Sequence, residues 1–299
     1  MKPIFIINSL SETVAAKGSN LKPLSDRAYH VFDKDIFDHL DEIVTAGQKS
    51  GWVIIEGGDG TAQGIITAFF NMTKPQAPMP RFTLLPGGMT NQVAKNIGLK
   101  PFTARSVRDL LSKSHKQTQM PLLRVSCAGY PNLYGFLFST GGVPMVTDYT
   151  KDNLHKRGIG GSAAVVGGII KGVSGKNDSI LRSTNISVQV NDIKLSGSHL
   201  GTLVTTLPSL LLKLDPFWGA EDGPLRMTYV EGGANRLAAH VLALWLGRKK
   251  TDRRADGLHS YRTDKLTYEY EGPTVLDGEP LTLGTQFELS ATQSLTFVS

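Results

Sequence analysis

Gly57-Gly58-Asp59-Gly60-Thr61 is the densest group of residues in the chain that could do chemistry: three glycines enclose one carboxylate, and a hydroxyl follows. An apolar run beginning at Trp52 stops at the first glycine, and a helical pattern over residues 62–71 comes next. A glycine turn between a buried strand and a helix start lets backbone N–H groups approach a phosphate with no Cβ in the way. The turn is expected to hold nucleotide phosphates, with Asp59 contributing chemistry or orientation. A tight βα turn with a capping aspartate is the rival reading.

A second turn of similar composition, Pro86-Gly87-Gly88-Met89-Thr90-Asn91, ends the apolar segment 82–85. Gly87 and Gly88, with Thr90 and Asn91, could offer N–H and side-chain donors to the same nucleotide. Two acidic turns lie further on, Glu221-Asp222-Gly223 and Asp277-Gly278-Glu279. Each alone is accounted for as a turn, because Asp-Gly is common in hairpins. Their order behind the two glycine turns gives them more weight.

Other signatures are excluded. Gly175-Lys176 is followed by Asn177, so it is not a phosphate loop of the Walker type, and there is no nucleophile elbow and no zinc spacing among the histidines. Gly158-x-Gly160-x-x-Ala163 fits a relaxed dinucleotide fingerprint, with Asp178 twenty residues after Gly158. The preceding stretch 152–157 is polar and charged, so the buried strand that fingerprint needs is missing.

These turns need elements to hold them. Residues 3–8, 29–33, 52–56 and 82–85 read as strands, and 35–49, 62–71 and a segment from Gln92 read as helices, with 9–27 a loop or a short helix. Strands alternating with helices predict a parallel sheet with helices on both faces, whose ligands bind beyond the carboxyl ends of the strands. After a polar join over 112–120, the segments 186–190, 266–270 and 287–290 alternate with period two. Segments 122–127, 134–139, 226–230 and 294–298 are further strands, and 162–171 and 237–246 are the helical exceptions. The fold class expected is therefore an α/β N-terminal domain, residues 1–118, and a β-rich antiparallel sandwich or barrel, residues 119–299.

Composition narrows the setting. At 299 residues with 40% hydrophobic and 19% charged, the chain reads as globular, and its longest apolar runs are too short to span a bilayer. One cysteine, Cys127, excludes an internal disulfide and suits a reducing compartment, so a cytoplasmic location is expected. Lys+Arg exceed Asp+Glu by 32 − 26 = 6, which favours anionic partners. Part of that excess clusters at Lys151, Lys156 and Arg157 and again at Arg248, Lys249, Lys250, Arg253 and Arg254, where ordinary solvated surface is the simpler reading. No motif supports nucleic-acid binding.

Taken together, Asn8, the GGDGT motif, the stretch PGGMTNQVAKNIGL over 86–99, the Asp222-Gly223 turn and Asp277-Gly278-Glu279 resemble the diacylglycerol kinase catalytic family, which is related to NAD kinases. The resemblance implies an α/β nucleotide domain, a β-rich lipid domain and a cleft between them. It implies ATP and Mg²⁺ as cofactors. Asn8, Gly57, Gly58, Gly60, Thr61, Gly87, Gly88, Thr90 and Asn91 would bind the nucleotide, and Asp59, Asp277 and Glu279 would be catalytic. Glu221 and Asp222 match a position where some bacterial members hold a structural magnesium ion.

The activity so implied is ATP-dependent phosphorylation of a hydroxyl on a diacylglycerol-like or sphingoid lipid. The enzyme would act peripherally at the inner face of a membrane, with a homodimer compatible with the sequence. The chain departs from the family at Gln63 and Gly64, where Asn and Glu are usual, and at Gln92, where Asp is usual. It also reads Gly88-Met89-Thr90 where Gly-Thr is common. Two carboxylates that would order Mg–ATP are thus missing. That leaves open a kinase of a soluble substrate, resembling NAD kinase, and a catalytically silent lipid- or nucleotide-binding protein.

Overall fold

The computed structural model describes residues 2–74, 76–86, 104–112, 116–142, 183–210, 215–237, 239, 240, 243 and 253–299. Gly87, Gly88, Thr90, Asn91 and the helix expected from Gln92 lie outside the described residues. So do the Gly158 fingerprint, the helix over 162–171, the first basic cluster and most of 237–252. The chain divides into two compact units, Met1–Leu122 with Gln293–Ser299 and Leu123–Thr292. The boundary expected at 118/119 falls inside a strand, and the structure returns the last strand of the sequence to the first unit.

The first unit is built on β1 (Ile4–Ile7), β2 (His30–Phe32), β3 (Trp52–Gly57), β4 (Arg81–Pro86), β5 (Gln117–Met120) and β17 (Leu295–Val298). Their order is β2-β1-β3-β4-β17-β5, parallel except for β5, which runs antiparallel to β17. β1 and β3 are buried at every position, as expected for strands covered on both faces. α1 (Glu12–Lys17), a 3-10 turn over Lys22–Arg27 with Leu21 just ahead of it, and α4 (Ala104–Ser112) contribute Val14, Leu21, Leu24, Val107 and Leu110 to a core with Phe5, Ile7, Trp52, Ile54 and Val298. α2 (Leu40–Ser50) and α3 (Asp59–Met72) pack against each other and against β3. A buried tie runs from Trp52 Nε1 to Thr83 Oγ1 (3.1 Å) and from Thr83 Oγ1 to the Val298 carbonyl (3.0 Å), joining β3, β4 and β17.

Three sequence expectations need correction here. The polar stretch 117–120 is an edge strand, not a join, and edge strands take polar residues because one side faces no core. Segment 294–298 pairs with β4 and β5 and so belongs to the first sheet. α2 starts at Leu40 rather than Asp35, because residues 36–39 form a turn behind Asp35, whose φ of 41° is left-handed.

The second unit is one eleven-stranded antiparallel network. Its strands are β6 (Leu123–Cys127), β7 (Leu133–Gly135), β8 (Leu137–Gly141), β9 (Thr184–Val190), β10 (Ile193–Thr205), β11 (Leu225–Glu231), β12 (Leu258–Thr263), β13 (Lys265–Tyr270), β14 (Thr274–Leu276), β15 (Glu279–Leu281) and β16 (Gln286–Ala291). Thirteen-residue β10 organises it: residues 193–199 pair with β9, and residues 201–205 pair with both β8 and β11. One core takes side chains from most of these strands, with Tyr268 stacked on Phe287 (centroids 4.9 Å apart) and Phe138 edge-on to both. The β-rich antiparallel expectation holds.

Candidate functional site

Strand order in the first sheet fixes where a ligand would meet it. The chain runs from β1 out to β2, then returns past β1 to β3, so the order reverses between β1 and β3. In open parallel sheets the crevice beyond the carboxyl ends at such a reversal is where ligands bind. The register pairs Ile7 with Glu56 and Gly57 with Pro86, so β1, β3 and β4 end level. Asn8 and Gly57-Gly58 therefore emerge side by side, and β4 ends at Pro86, the register partner of Gly57.

The connection from β3 to α3 is shorter than the sequence pattern suggests. Only Gly58 separates them, and the first intrahelical bond runs from Ala62 N to Gly58 O (3.1 Å). Asp59, Gly60 and Thr61 thus form the first turn of α3, ahead of that bond, where amides point along the helix axis at its positive end. Gly57 is required by a close approach: a Cβ there would lie 2.8 Å from Thr61 Cβ. Thr61 is buried, and its Oγ1 accepts from Asn8 Nδ2 at 2.8 Å. Asn8 Oδ1 accepts from Leu10 N (3.0 Å), and Asn8 N donates to Glu56 O (2.9 Å).

Glu56, which the sequence reading counted only as the end of a strand, is 2% exposed. It follows Trp52 and Ile54 on one face, so its carboxylate enters the core that those residues line. There it accepts from Asn20 N (2.8 Å), Asn20 Nδ2 (3.2 Å), Leu21 N (3.3 Å) and Ser19 Oγ. A carboxylate closing an apolar run directly before a glycine turn was the available signal.

The remaining candidate residues lie in the second unit. Asp277 and Gly278 form the two-residue turn of the β14–β15 hairpin, at φ 52° and 92°, the left-handed pair that such a turn requires. The Asp277 carboxylate accepts from Phe136 N (3.0 Å) and Leu137 N (2.8 Å), fastening the hairpin to the start of β8. Glu279 is exposed. Glu221 Oε2 accepts from Arg262 N (3.2 Å), and the Arg262 guanidinium donates to Gly223 O at 2.8 and 3.0 Å, so this acidic turn already has a cation beside it. Asp222 is exposed. Among the described residues no group of three or more His, Cys, Asp or Glu side chains could hold a metal ion.

Sequence reasoning also passed over His199, which is completely buried on β10. Its Nε2 lies 3.1 Å from Thr140 Oγ1 and its Nδ1 2.9 Å from Thr184 O, while its ring stacks on Tyr229 and meets Tyr270 edge-on. Burial lowers its pKa, partly offset by the bond to Thr184. Tyr229 is pushed up to about 12, chiefly by burial. Arg253, grouped by sequence with solvated surface, is also buried, its guanidinium 5.2 Å from the Trp218 ring.

A parallel sheet whose reversal point carries a glycine turn and a helix start defines an open α/β unit. Residues 4–123 match the profile of the diacylglycerol kinase catalytic domain, so the resemblance read from the sequence is borne out over that stretch. No curated protein sequence matches the chain. A diacylglycerol kinase structure from Bacillus anthracis is similar at a TM-score of 0.65 and 12% identity, covering 99% of this chain and 96% of that one. A structure of a candidate diacylglycerol kinase from the same organism is similar at a TM-score of 0.71 and 14% identity, with the same coverage. At these identities the likeness is one of fold, and it extends over both units.

Proposed function

We propose that the protein transfers the γ-phosphoryl group of ATP to a hydroxyl of a diacylglycerol-like or sphingoid lipid at a membrane surface. The observation that carries this reading is the Asn8–Thr61 bond beneath the glycine turn, at the reversal point of the sheet. It braces the first turn of α3, where backbone amides would receive the donor phosphates. The match of residues 4–123 to a lipid-kinase catalytic domain supports the choice of acceptor. A pI of about 9.3 suits an anionic lipid surface, near which each Lys or Arg contributes about 1 kcal/mol. Among the described residues no helix is long and apolar enough to cross a membrane.

Mg²⁺ fits this donor end. Asp59 puts a carboxylate in the turn that would hold anionic phosphates, an arrangement that calls for a cation between them, and Mg²⁺ is commonly held by one or two carboxylates plus phosphate oxygens. Bound there, it would neutralise charge on the transferring group. The lipid hydroxyl oxygen bonds to the γ-phosphorus as the bond to the β–γ bridging oxygen breaks and ADP leaves. Glu279 is assigned to take the hydroxyl proton, and Asp277 to hold the hairpin that carries Glu279. Phosphoryl transfer asks little more of a protein than positioning and charge neutralisation.

The test is an ATP/Mg²⁺ assay against diacylglycerol, monoacylglycerol, sphingoid bases, ceramide and phosphatidylglycerol. Asp59→Ala is expected to abolish transfer with the fold intact, and wild-type turnover in that variant would overturn the assignment. Gln63 and Gly64 favour a second reading, a nucleotide-binding protein without turnover, because neither supplies the carboxylate that the family usually places after its glycine turn. ATP binding with no transfer to any lipid in the panel would select it.

A further inference from the structure

Phe37 has no role in the core that its spacing suggests. Periodicity groups it with Ile36, Leu40, Ile43 and Val44 as one helix face, but residues 36–39 form a turn closed by Asp38 N on Asp35 O (2.8 Å). The turn buries Ile36 and projects Phe37 outward, 49% exposed. There the edge of the ring meets Gly64: a Cβ at that position would come within 2.8 Å of Phe37 Cε1, with Cζ and Cδ1 at 3.5 and 3.7 Å. Gly64 is four residues after Gly60, hence on the same face of α3 and about 6 Å along its axis. β2, β1 and β3 are parallel neighbours, so the loop carrying Phe37 leaves the sheet at the same edge as Asn8 and Gly57.

A half-exposed aromatic ring held by its edge against a glycine, just past the turn assigned to the phosphates, has its faces free to act as a stacking platform. We propose that Phe37, seated on Gly64, stacks the base of the nucleotide whose phosphates rest on the first turn of α3. The inference rests on the nucleotide reading above and adds to it the residue that reads the base. Every nucleobase has a π-face, so the platform accepts any of them and favours the larger purines. A glutamate at position 64 would lift the ring, which gives the glycine a purpose of its own.

The experiment measures equilibrium binding of ATP, CTP and inorganic tripolyphosphate to the full chain as wild type, Phe37→Ala and Phe37→Trp. Phe37→Ala is expected to weaken ATP about tenfold, narrow the preference for ATP over CTP and leave tripolyphosphate unchanged, while Phe37→Trp retains ATP. Equal ATP binding by wild type and Phe37→Ala would overturn the platform. A proportional loss of tripolyphosphate would also overturn it, since that marks a structural prop. Wild-type protein that binds tripolyphosphate but no better when a nucleoside is attached would defeat the platform and spare the phosphate turn. Binding of none of the three would defeat both.

Discussion

Asn8 Nδ2 donates to Thr61 Oγ1 at 2.8 Å, across 53 residues of sequence, and so locks the end of β1 to the first turn of α3. The bond is partly buried and spans the point where the sheet order reverses. Asn8→Ala removes the donor and leaves a buried hydroxyl oxygen without it, which is expected to cost about 1–2 kcal/mol of stability and to weaken ATP binding. Thr61→Ser, which keeps the acceptor, is expected to retain most of both. Denaturant titration and ATP binding measured on the same samples check this, and unchanged ATP affinity in Asn8→Ala would separate the bond from the donor site.

Glu56 gathers donors from Ser19, Asn20 and Leu21 inside the core of the first unit. Replacing it by alanine strands those donors away from water and is expected to cost about 3 kcal/mol. Glu56→Gln keeps the volume, presents an amide where an acceptor is needed on both oxygens, and is expected to lose less. Urea unfolding with the intact chain measures the difference. An alanine variant as stable as wild type would mean that water replaces the carboxylate.

Asp277 and Glu279 share a hairpin but should fail differently. Asp277 accepts from two backbone amides at Phe136 and Leu137, whereas Glu279 is exposed. Asp277→Ala is therefore expected to lower the melting temperature along with activity. Glu279→Gln is expected to leave the melting temperature within about a degree of wild type and to lower kcat by 10²-fold or more, the usual scale for a general base. Unaltered kcat in Glu279→Gln would remove it from the reaction.

His199 makes the second unit sensitive to acid. Its pKa is lowered by burial from the ordinary value of 6.5, so the folded chain binds fewer protons than the unfolded chain below that pH. Stability associated with the neutral ring is present above pH 6.5 and is lost as the pH falls toward and through the folded value. Urea midpoints measured between pH 8 and pH 5 should be level in the upper part of that range and decline in the lower part. His199→Gln should flatten the decline, and an equally steep decline in that variant would assign it to other groups.

The sequence displayed the glycine turn and its flanking strands because strands buried on both faces are continuous apolar runs, which Ile4–Ile7 and Trp52–Gly57 both are. It misjudged elements whose identity is set by distant neighbours. Gln117–Met120 looks like a linker until Leu295–Val298 is placed beside it. Thirteen-residue β10 is interrupted by Gly197 and Gly201, which erase its alternation. The candidate site divided along the same line. Asp59 and Thr61 were legible from local spacing, but the role of Asn8 as their brace, the clamp of Glu56 on residues 19–21 and the outward turn of Phe37 depend on contacts that no window of sequence contains.

β17 lies between β4 and β5 in the first sheet, although the whole second unit separates it from β5 in the chain. A ribosome working from the amino end therefore makes the glycine turn early and the strand that completes its sheet only after residue 292 has been added. At about 5–20 residues per second, the gap between β5 and β17 holds the nascent first unit incomplete for roughly ten seconds or longer, with the β4 edge open to wrong partners. The second unit waits almost as long, because β16, which pairs with both β13 and β6, ends at Ala291 just ahead of β17. The two sheets are thus completed together, and only then does the glycine turn gain its finished scaffold.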